Sequence, residues 1–524
     1  MRLIRIFLSV GCWLFILTSM AQRMHREADP DQPLRIEIPA KSVNETYRII
    51  PCDSTGFLLF FKSLETVDES RSKWYFSLYD KNLQLVWAKA LPILSNLDFR
   101  FSDSGNDTLT LLFANAIKAK TADQNFQVLR VLAGPGKMIL NAGILPVNSE
   151  IIRFGMKRQR AWIGLNIKNE VGQLMVINMA TGGKKIFQLG QGSYITLRWM
   201  SVDSSGNSVK AIVSRQVSKK VWEHYVVTYD TTGTLKNEMV MNPGAASLDF
   251  TNFQVICENG STDLVLGSYG PVSGNSSGQK MKTLEESAGL YSTCIQNGKQ
   301  KPVEFTNFLE LKSVNVLMDE KDVLNLKKKA LKKNKNLGEY SLDYTLLLHN
   351  IIRHNNSYLL VAEVYYPQYH TENFTDFDYY GRPYINSYSV FDGYRFTNAI
   401  ISSYSPDGKF LWDNVLEIRN LVSYELSPKV IVYPDGENLV LSYLSDGKIG
   451  AKIIRDLSVV EKLDFAPVDL LFPEDKLVEE SRSQMAHWYK NYFLCYGYQE
   501  IKNIALPNNN KRLVFYINKI RYEK

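Results

Sequence analysis

Residues 365–396 (YYPQYHTENFTDFDYYGRPYINSYSVFDGYRF) concentrate side chains that are suited to contact a ligand. More than one position in three is aromatic, and carboxylate, histidine and arginine side chains lie among the rings. Rings give contact area at low entropic cost and polar tips give direction, which suits recognition of a sugar, a peptide or a protein. The alternative is that the rings pack on one another and on a nearby insertion. The predicted binding residues are Tyr365, Tyr366, Tyr369, His370, Tyr379, Tyr380, Arg382, Tyr384, Tyr388 and Tyr394.

Carboxylates in the same region give a catalytic alternative. Cleavage of a glycosidic bond needs two carboxyl groups about 5–10 Å apart, and tyrosines would line the sugar subsites. Acidic residues are common in tyrosine-rich segments without catalysis, so binding is the preferred interpretation. The weak catalytic candidates are Glu363, Asp376, Asp378 and Asp392, with Glu372 beside them.

Other catalytic and metal-binding motifs are incomplete. Residues 274–278 match GxSxG, but in a Gly/Ser-rich loop instead of the strand-to-helix turn that a nucleophile elbow needs. Residues 134–137 lack the first glycine and the Ser/Thr of a P-loop. Residues 376–381 begin like a calcium loop, yet Ser387 stands where the bidentate glutamate belongs, so only a looser calcium site stays as an alternative. No cofactor and no metal site are predicted.

A series of turns divides the chain into units of about 50 residues. Each turn carries Gly or Asn and is followed by an apolar run, and the first five are spaced 49, 50, 51 and 54 apart. The Gly155 and Asn491 members are degenerate and depend on this spacing. The turns are marked by Gly56, Gly105, Gly155, Gly206, Gly260, Asn356, Gly436 and Asn491.

A second hairpin lies in each unit between these turns, as in YFSLYDKNLQLVW and AIISSYSPDGKFLW. Each unit therefore holds four strands, A to D, which is typical of a β-propeller blade. The sequence predicts an all-β protein with eight blades, seven being the alternative, in one domain over residues 22–524. The last unit lacks a strand D, and residues 34–39 (LRIEIP) are predicted to supply it and close the ring.

The hairpins that place Trp87 eight residues after Tyr79, and Trp412 eight after Tyr404, resemble the outer strands of PQQ-like propeller repeats. The resemblance covers the repeat style along most of the chain. It departs from the PQQ pattern because most units lack the tryptophan, and the Ser-x-Asp-x-Gly frame of an Asp-box is also not met. Neither cofactor binding nor sialidase activity is therefore implied. The sequence looks most like secreted bacterial propeller proteins of unknown function.

Three insertions exceed the basic unit, at residues 268–288, 313–340 and 365–395. In an antiparallel blade the B–C loop and the connection from D to the next A emerge at the same end, so all three are expected on one face. Loops on one rim of a rigid scaffold commonly carry function. Residues 318–336 begin with acids and end with lysines, which predicts a short amphipathic helix. Its lysine face is either solvated or meets an acidic glycan, headgroup or protein.

The amino terminus predicts export. Arg2 and Arg5 precede an apolar run that ends before Ser19-Met20-Ala21, which is typical of a signal peptide over residues 1–21. Removal of both arginines lowers the net charge from +7 to +5 (7 − 2), too small and dispersed to indicate nucleic acid binding. No second apolar run is long enough to span a membrane. A periplasmic, outer-membrane-associated or extracellular protein is expected.

Four cysteines follow the leader, too few for a disulfide framework, and most are expected to be buried thiols. They are Cys52, Cys257, Cys294 and Cys495.

The sequence thus predicts an exported propeller that binds an envelope protein or glycan through tyrosine-rich rim loops. The alternatives are a carbohydrate-active enzyme using the sixth-blade carboxylates, and a subunit of a secretion or surface-motility assembly.

Overall fold

Strands separated by Gly/Asn/Asp turns form eight antiparallel sheets, which are the predicted blades. In the computed structural model the described residues are 31–105, 107–115, 124–168, 171–190, 194–218, 221–258, 262–272, 287–332, 342, 344–377, 379–503, 505 and 511–523. The proposed leader and the GxSxG match lie outside them.

Blades 1 to 4 each contain four consecutive strands. Blade 1 consists of β2 (Arg48–Cys52), β3 (Gly56–Thr66), β4 (Arg71–Tyr79) and β5 (Leu85–Leu94). Blade 2 consists of β6 (Leu97–Gly105), β7 (Thr108–Asn115), β8 (Gln124–Leu132) and β9 (Lys137–Leu145). Blade 3 consists of β10 (Ser149–Lys157), β11 (Arg160–Ile167), β12 (Gln173–Asn178) and β13 (Lys184–Gln188). Blade 4 consists of β14 (Ile195–Val202), β15 (Ser208–Ser218), β16 (Val221–Asp230) and β17 (Leu235–Met241).

Blades 5 and 6 each contain one additional short strand, and blade 8 takes its fourth strand from the amino terminus. Blade 5 consists of β18 (Leu248–Glu258), β19 (Thr262–Pro271), β20 (Gly289–Gln296), β21 (Lys299–Gln300) and β22 (Glu304–Asn307). Blade 6 consists of β23 (Thr345–Leu348), β24 (Ile352–His354), β25 (Ser357–Phe377), β26 (Pro383–Tyr404) and β27 (Phe410–Ser423). Blade 7 consists of β28 (Ile431–Asp435), β29 (Asn438–Ser445), β30 (Lys448–Arg455) and β31 (Ser458–Pro467). Blade 8 consists of β32 (Asp475–Tyr489), β33 (Tyr492–Asn503), β34 (Lys511–Arg521) and β1 (Leu34–Pro39).

The remaining elements are helical and short. Three single 3-10 turns cover Val43–Glu45, Asp53–Thr55 and Phe308–Glu310. Helices α1 (Val314–Leu317) and α2 (Glu320–Lys332) lie in the insertion between blades 5 and 6, so the predicted amphipathic helix is confirmed. Val323 of α2 is buried against the apolar cluster shared by these two blades, which holds the helix on the propeller.

The amino-terminal strand closes the ring as predicted. β1 pairs antiparallel with β34 from Leu34↔Lys519 to Pro39↔Val514. Arg35 and Glu37 of β1 are almost fully buried and joined at 2.8 Å, and Arg512 joins Glu37 at 3.0 Å. Blade 8 then packs on blade 1, where the ring of Phe57 meets Trp488 edge-on at 5.5 Å.

Apolar clusters between neighbouring blades form the core. Among the described residues eight such clusters occur, one for each interface around the ring. Tryptophans add hydrogen bonds across these interfaces. The Trp87 indole donates to the Ala133 carbonyl at 2.8 Å, and the Trp488 indole donates to the Gly56 carbonyl at 2.7 Å.

One predicted turn is displaced. Gly155 lies inside β10, and the turn follows at residues 158–159. A Cβ at position 155 would lie 2.9 Å from Val202 Cγ2, so this glycine permits close approach to blade 4 and does not form a turn. The Gly260 turn lies outside the described residues, while the other six predicted turns fall between strands A and B or at their ends.

The first strand of blades 2 to 5 contains a bulge at the same place in each blade. The ladder register of that strand with the next strand skips one residue and then resumes. Such bulges locally increase strand twist. The bulged residues are Arg100, Ile152, Arg198 and Thr251.

Candidate functional site

The tyrosine-rich segment is a long β hairpin, which corrects the prediction of a rim loop. β25 and β26 continue their pairing beyond the blade, from Tyr358↔Tyr404 to Phe377↔Pro383. Aromatic and β-branched residues favour extended backbone, and Gly381 turns the chain at a φ of +72°. The third strand, β27, pairs only as far as Tyr394↔Ser423. Residues 369–391 therefore form a two-stranded projection, about 25 Å long at 3.3 Å per residue.

A bulge marks the foot of this projection. Gln368 pairs with Gly393 and Tyr369 pairs with Phe391, so Asp392 is the unpaired residue. Gly393 has a φ of +128°, and a Cβ there would lie 2.9 Å from Val422 Cγ1. Only glycine fits this backbone without strain. Asp392 therefore lies outside the regular pairing of β25 and β26.

Most of the predicted binding rings are exposed along the hairpin. Tyr379 and Tyr380 at the tip are 97% and 79% exposed. Neighbouring rings touch each other in pairs, as Phe374 and Tyr388 do at 5.7 Å, but these pairs leave both rings accessible. The exposed rings of the hairpin are those of Tyr366, Tyr369, Phe374, Phe377, Tyr379, Tyr380, Tyr384 and Tyr388.

Two of the predicted binding tyrosines lie at the foot. Tyr365 is 6% exposed and belongs to the core cluster between blades 6 and 7. Its ring meets that of Tyr394 edge-on at 5.6 Å. Burial raises the pKa of Tyr365 to about 12. Both tyrosines therefore anchor the hairpin to the blade instead of covering its exposed faces.

A charged network crosses the two strands above the foot. His370 Nδ1 lies 2.5 Å from Asp392 Oδ1, and its Nε2 lies 3.3 Å from Glu372 Oε1. The Tyr388 hydroxyl donates to the other oxygen of Glu372. The Asp392 hydrogen bond, followed by that of Glu372, raises the pKa of His370. The hydrogen bonds from Tyr388 and His370 lower the pKa of Glu372.

The remaining hairpin candidates also have partners nearby. The Tyr384 hydroxyl donates to Asp376 at 3.1 Å, and the Arg382 guanidinium lies 5.9 Å from the centre of the Tyr380 ring. Asp378 lies outside the described residues.

Glu363 is inaccessible to a ligand, which removes it from the catalytic candidates. Its side chain is fully buried and contacts His349 Nε2 at 2.7 Å. It also accepts hydrogen bonds from the backbone amides of Lys429 and Val430 at 2.7–3.1 Å. A buried carboxylate with these partners joins blade 6 to the start of blade 7.

A cleft of about 330 Å³ opens at the foot of the hairpin, beside the helical insertion. The cleft lies where the segment that precedes β23 diverges from β25. There Tyr344 forms a β bridge with Ser287, next to blade 5, instead of pairing with β25. None of the lining residues that the structure describes is acidic. The lining residues are Leu317, Leu342, Tyr344, Val364, Tyr365, Tyr366, Thr397 and Asn398.

A Ser–His–Asp arrangement in blades 4 and 5 is absent from the sequence-based predictions. Ser214 Oγ lies 2.8 Å from His224 Nδ1, and His224 Nε2 lies 2.7 Å from Asp249. Ser214 is fully buried, so its hydroxyl is closed to a substrate and the chain of hydrogen bonds is structural. Ser214 and His224 are directly opposed on β15 and β16, a register that the structure shows and no sequence motif marks.

The described cysteines carry no disulfide, and Cys52, Cys294 and Cys495 are buried, while Cys257 is exposed. Within the described part of the chain, no group of three or more His, Cys, Asp or Glu side chains is arranged to hold a metal ion. In the same residues, no helix is long and apolar enough to cross a bilayer.

Comparison with known proteins gives similarity at the level of fold. No family model and no curated protein matches the chain. A polysaccharide lyase, Uly1, aligns with 94% of this chain and all of its own at 8% identity and a TM-score of 0.37. The β-propeller domain of the Trilobed protease from Pyrococcus furiosus aligns with 80% of this chain and 98% of its own, at 8% identity and a TM-score of 0.33. A puromycin-hydrolyzing peptidase from Mycobacterium tuberculosis aligns with 81% of this chain and 53% of its own, at 8% identity and a TM-score of 0.39.

These scores carry no argument about activity. The strand pairing and the packing between blades establish the architecture without them. The chain is an eight-bladed β-propeller with its amino-terminal strand in the last blade.

Proposed function

We propose that this protein is an exported binding module of the bacterial cell envelope, which holds a partner with the hairpin of residues 366–392. The propeller serves as a rigid base, and the hairpin and the cleft at its foot form the recognition surface. Export is proposed from the leader over residues 1–21 alone.

The observation that carries this proposal is the exposure of large rings on a free two-stranded projection. An isolated two-stranded hairpin is at best marginally stable in water. Contiguous exposed apolar surface with a polar surround commonly marks an interaction site. Polar bonds such as Tyr388–Glu372 and Tyr384–Asp376 hold the strands in register while the rings stay accessible.

The positions of the carboxylates favour binding over glycoside cleavage. Catalysis by two carboxylates requires both to face one substrate. Glu363 is buried, and none of the described residues that line the cleft is acidic. Along the described part of the hairpin, Asp392, Asp376 and Glu372 are engaged by His370, Tyr384 and Tyr388, respectively.

A shortened hairpin tests the proposal. Residues 369–392 are replaced by Asn-Gly between Gln368 and Gly393, which form a ladder pair and accept a two-residue turn. The wild-type chain and the shortened variant are immobilised and exposed to envelope extract and to a glycan array. We expect the wild type to retain a ligand that the shortened variant loses, with thermal unfolding of the propeller unchanged.

A full-length control separates the rings from the hairpin backbone. It carries Tyr379→Ser, Tyr380→Ser and Phe377→Ser at the exposed tip and keeps both strands. Retention of the same ligand by wild type and shortened variant would contradict the proposal. A ligand that co-purifies at fixed stoichiometry would identify a constitutive secretion or motility assembly instead of a reversible contact.

A further inference from the structure

Among the described residues, no strand lies beside one edge of the hairpin. β23 pairs with β25 only from Thr345↔Tyr365 to Leu348↔Ala362. No described residue pairs with residues 366–377 of β25 on that side. The cause is local: at Tyr344 the chain turns away to Ser287, whose amide donates to the Tyr344 carbonyl at 2.9 Å. The free edge is thus the direct continuation of the line that β23 occupies.

The cleft lies at the lower end of this free edge. Val364, Tyr365 and Tyr366 of β25 form one side of it, and Leu342 and Tyr344 lie where β23 begins. Its volume of about 330 Å³ is at the small end of the range for ligand pockets, roughly 300–1,000 Å³, which suits a single large side chain. A strand added along the edge, antiparallel to β25, would end above this cleft.

Charge decides which strand fits. Residues 366–392 contain four acidic residues and one arginine, a formal charge of −3 with His370 neutral. Like charges placed opposite each other destabilise a strand pair, which disfavours pairing with the hairpin of a second copy. The same charge is repelled by an anionic membrane surface. A basic strand from another protein is the complementary occupant.

We propose that the free edge of β25 takes up a basic β strand from a partner protein. The added strand runs antiparallel to β25 in line with β23, and an apolar side chain at its carboxyl-terminal end fills the cleft. Main-chain hydrogen bonds give affinity in this mode, and the pocket gives specificity. This inference rests on the proposed function, because it names the partner chemistry of the same hairpin.

Synthetic peptides test the edge directly. The probes are an array of fluorescein-labelled nonapeptides that alternate Lys or Arg with Val or Thr and end in Phe, Trp, Leu or Tyr. Binding to the full chain is followed by fluorescence anisotropy. We expect peptides ending in an aromatic residue to bind, and moving that residue to the amino terminus to weaken binding at least tenfold. Acidic versions, with Glu for Lys, should not bind.

Backbone methylation provides the matched control. An added strand donates alternate amides to β25 and directs the others to solvent. N-methylation of the amides that face β25 should therefore reduce affinity at least tenfold. N-methylation of the amides that face solvent should reduce affinity less than twofold. The double variant Glu372→Gln, Asp376→Asn should weaken binding severalfold and flatten its dependence on salt.

Equal effects of the two methylated sets, or undiminished peptide binding by the shortened hairpin, would overturn strand addition. Absence of binding across the whole array would overturn it too. If the wild type still retains an envelope ligand that the shortened variant loses, the proposed function stands while this inference fails. If no ligand is retained either, both are wrong.

Discussion

Replacing Glu37 with glutamine tests how the amino-terminal strand is held in blade 8. Glu37 is 7% exposed and pairs with Arg35 at 2.8 Å and with Arg512 at 3.0 Å. Arg512 also pairs with Asp475 at 2.5 Å. The substitution keeps the size of the side chain but leaves the buried Arg35 without its carboxylate.

The expected cost follows from burial. Removing one partner of a buried ion pair costs about 3–5 kcal/mol, and the remaining amide oxygen of glutamine places Glu37→Gln near 3 kcal/mol. At about 1.4 kcal/mol per factor of ten, release of β1 from β34 becomes roughly a hundredfold more frequent. Glu417→Gln is the control, because its pair with Arg419 is about half exposed on both sides and contributes about 0–1 kcal/mol.

Hydrogen exchange read by mass spectrometry measures this release. In Glu37→Gln, exchange should accelerate in peptides from β1 and β34 while blades 3 to 5 keep wild-type rates. Urea unfolding should show the loss of stability in the same variant and not in Glu417→Gln. The reasoning is refuted if the two variants agree within about 0.5 kcal/mol, or if the acceleration is spread evenly over all blades.

Three further outcomes are expected. Gly393→Ala places a side chain at a φ of +128° and 2.9 Å from Val422 Cγ1, so urea unfolding should report a loss of about 1–3 kcal/mol; an unchanged midpoint would contradict this. The raised pKa of His370 makes its pairing with Asp392 complete below about pH 6.5 and lost as the pH rises through the raised value. Hairpin amides, corrected for intrinsic exchange, should therefore lose protection with rising pH in the wild type and not in His370→Gln; parallel profiles would argue against this role. Glu363→Ala leaves several buried donors unpaired, so denaturant unfolding should report a loss of stability of about 3 kcal/mol. A loss below about 1 kcal/mol would show that the contact between blades 6 and 7 does not depend on this carboxylate.

The repeat architecture could be read from the sequence because it is built from local signals. Turn residues such as Gly206 and Gly436 have positive φ, and the apolar runs that follow them fit strands that are buried in a blade. The missing strand of the last unit pointed to residues 34–39, since a blade with an unpaired edge needs a partner. β1 occupies that place.

The form of the recognition surface depended on tertiary structure. The aromatic content of residues 365–395 suited a loop or strands equally well, and only cross-strand register shows that β25 and β26 extend into a hairpin. Whether a carboxylate is accessible also depends on distant residues. Glu363 is buried and accepts hydrogen bonds from amides more than sixty residues further along the chain, while Glu372 on the same strand is exposed.

Composition and spacing therefore determined the fold class, the blade number and the closing strand. Only the tertiary structure decided that Gly155 meets Val202, that Tyr365 is an anchor and that a cleft opens beside Tyr344. Turns and apolar runs are properties of neighbouring residues, whereas burial, register and clefts arise between segments that the chain brings together from far apart.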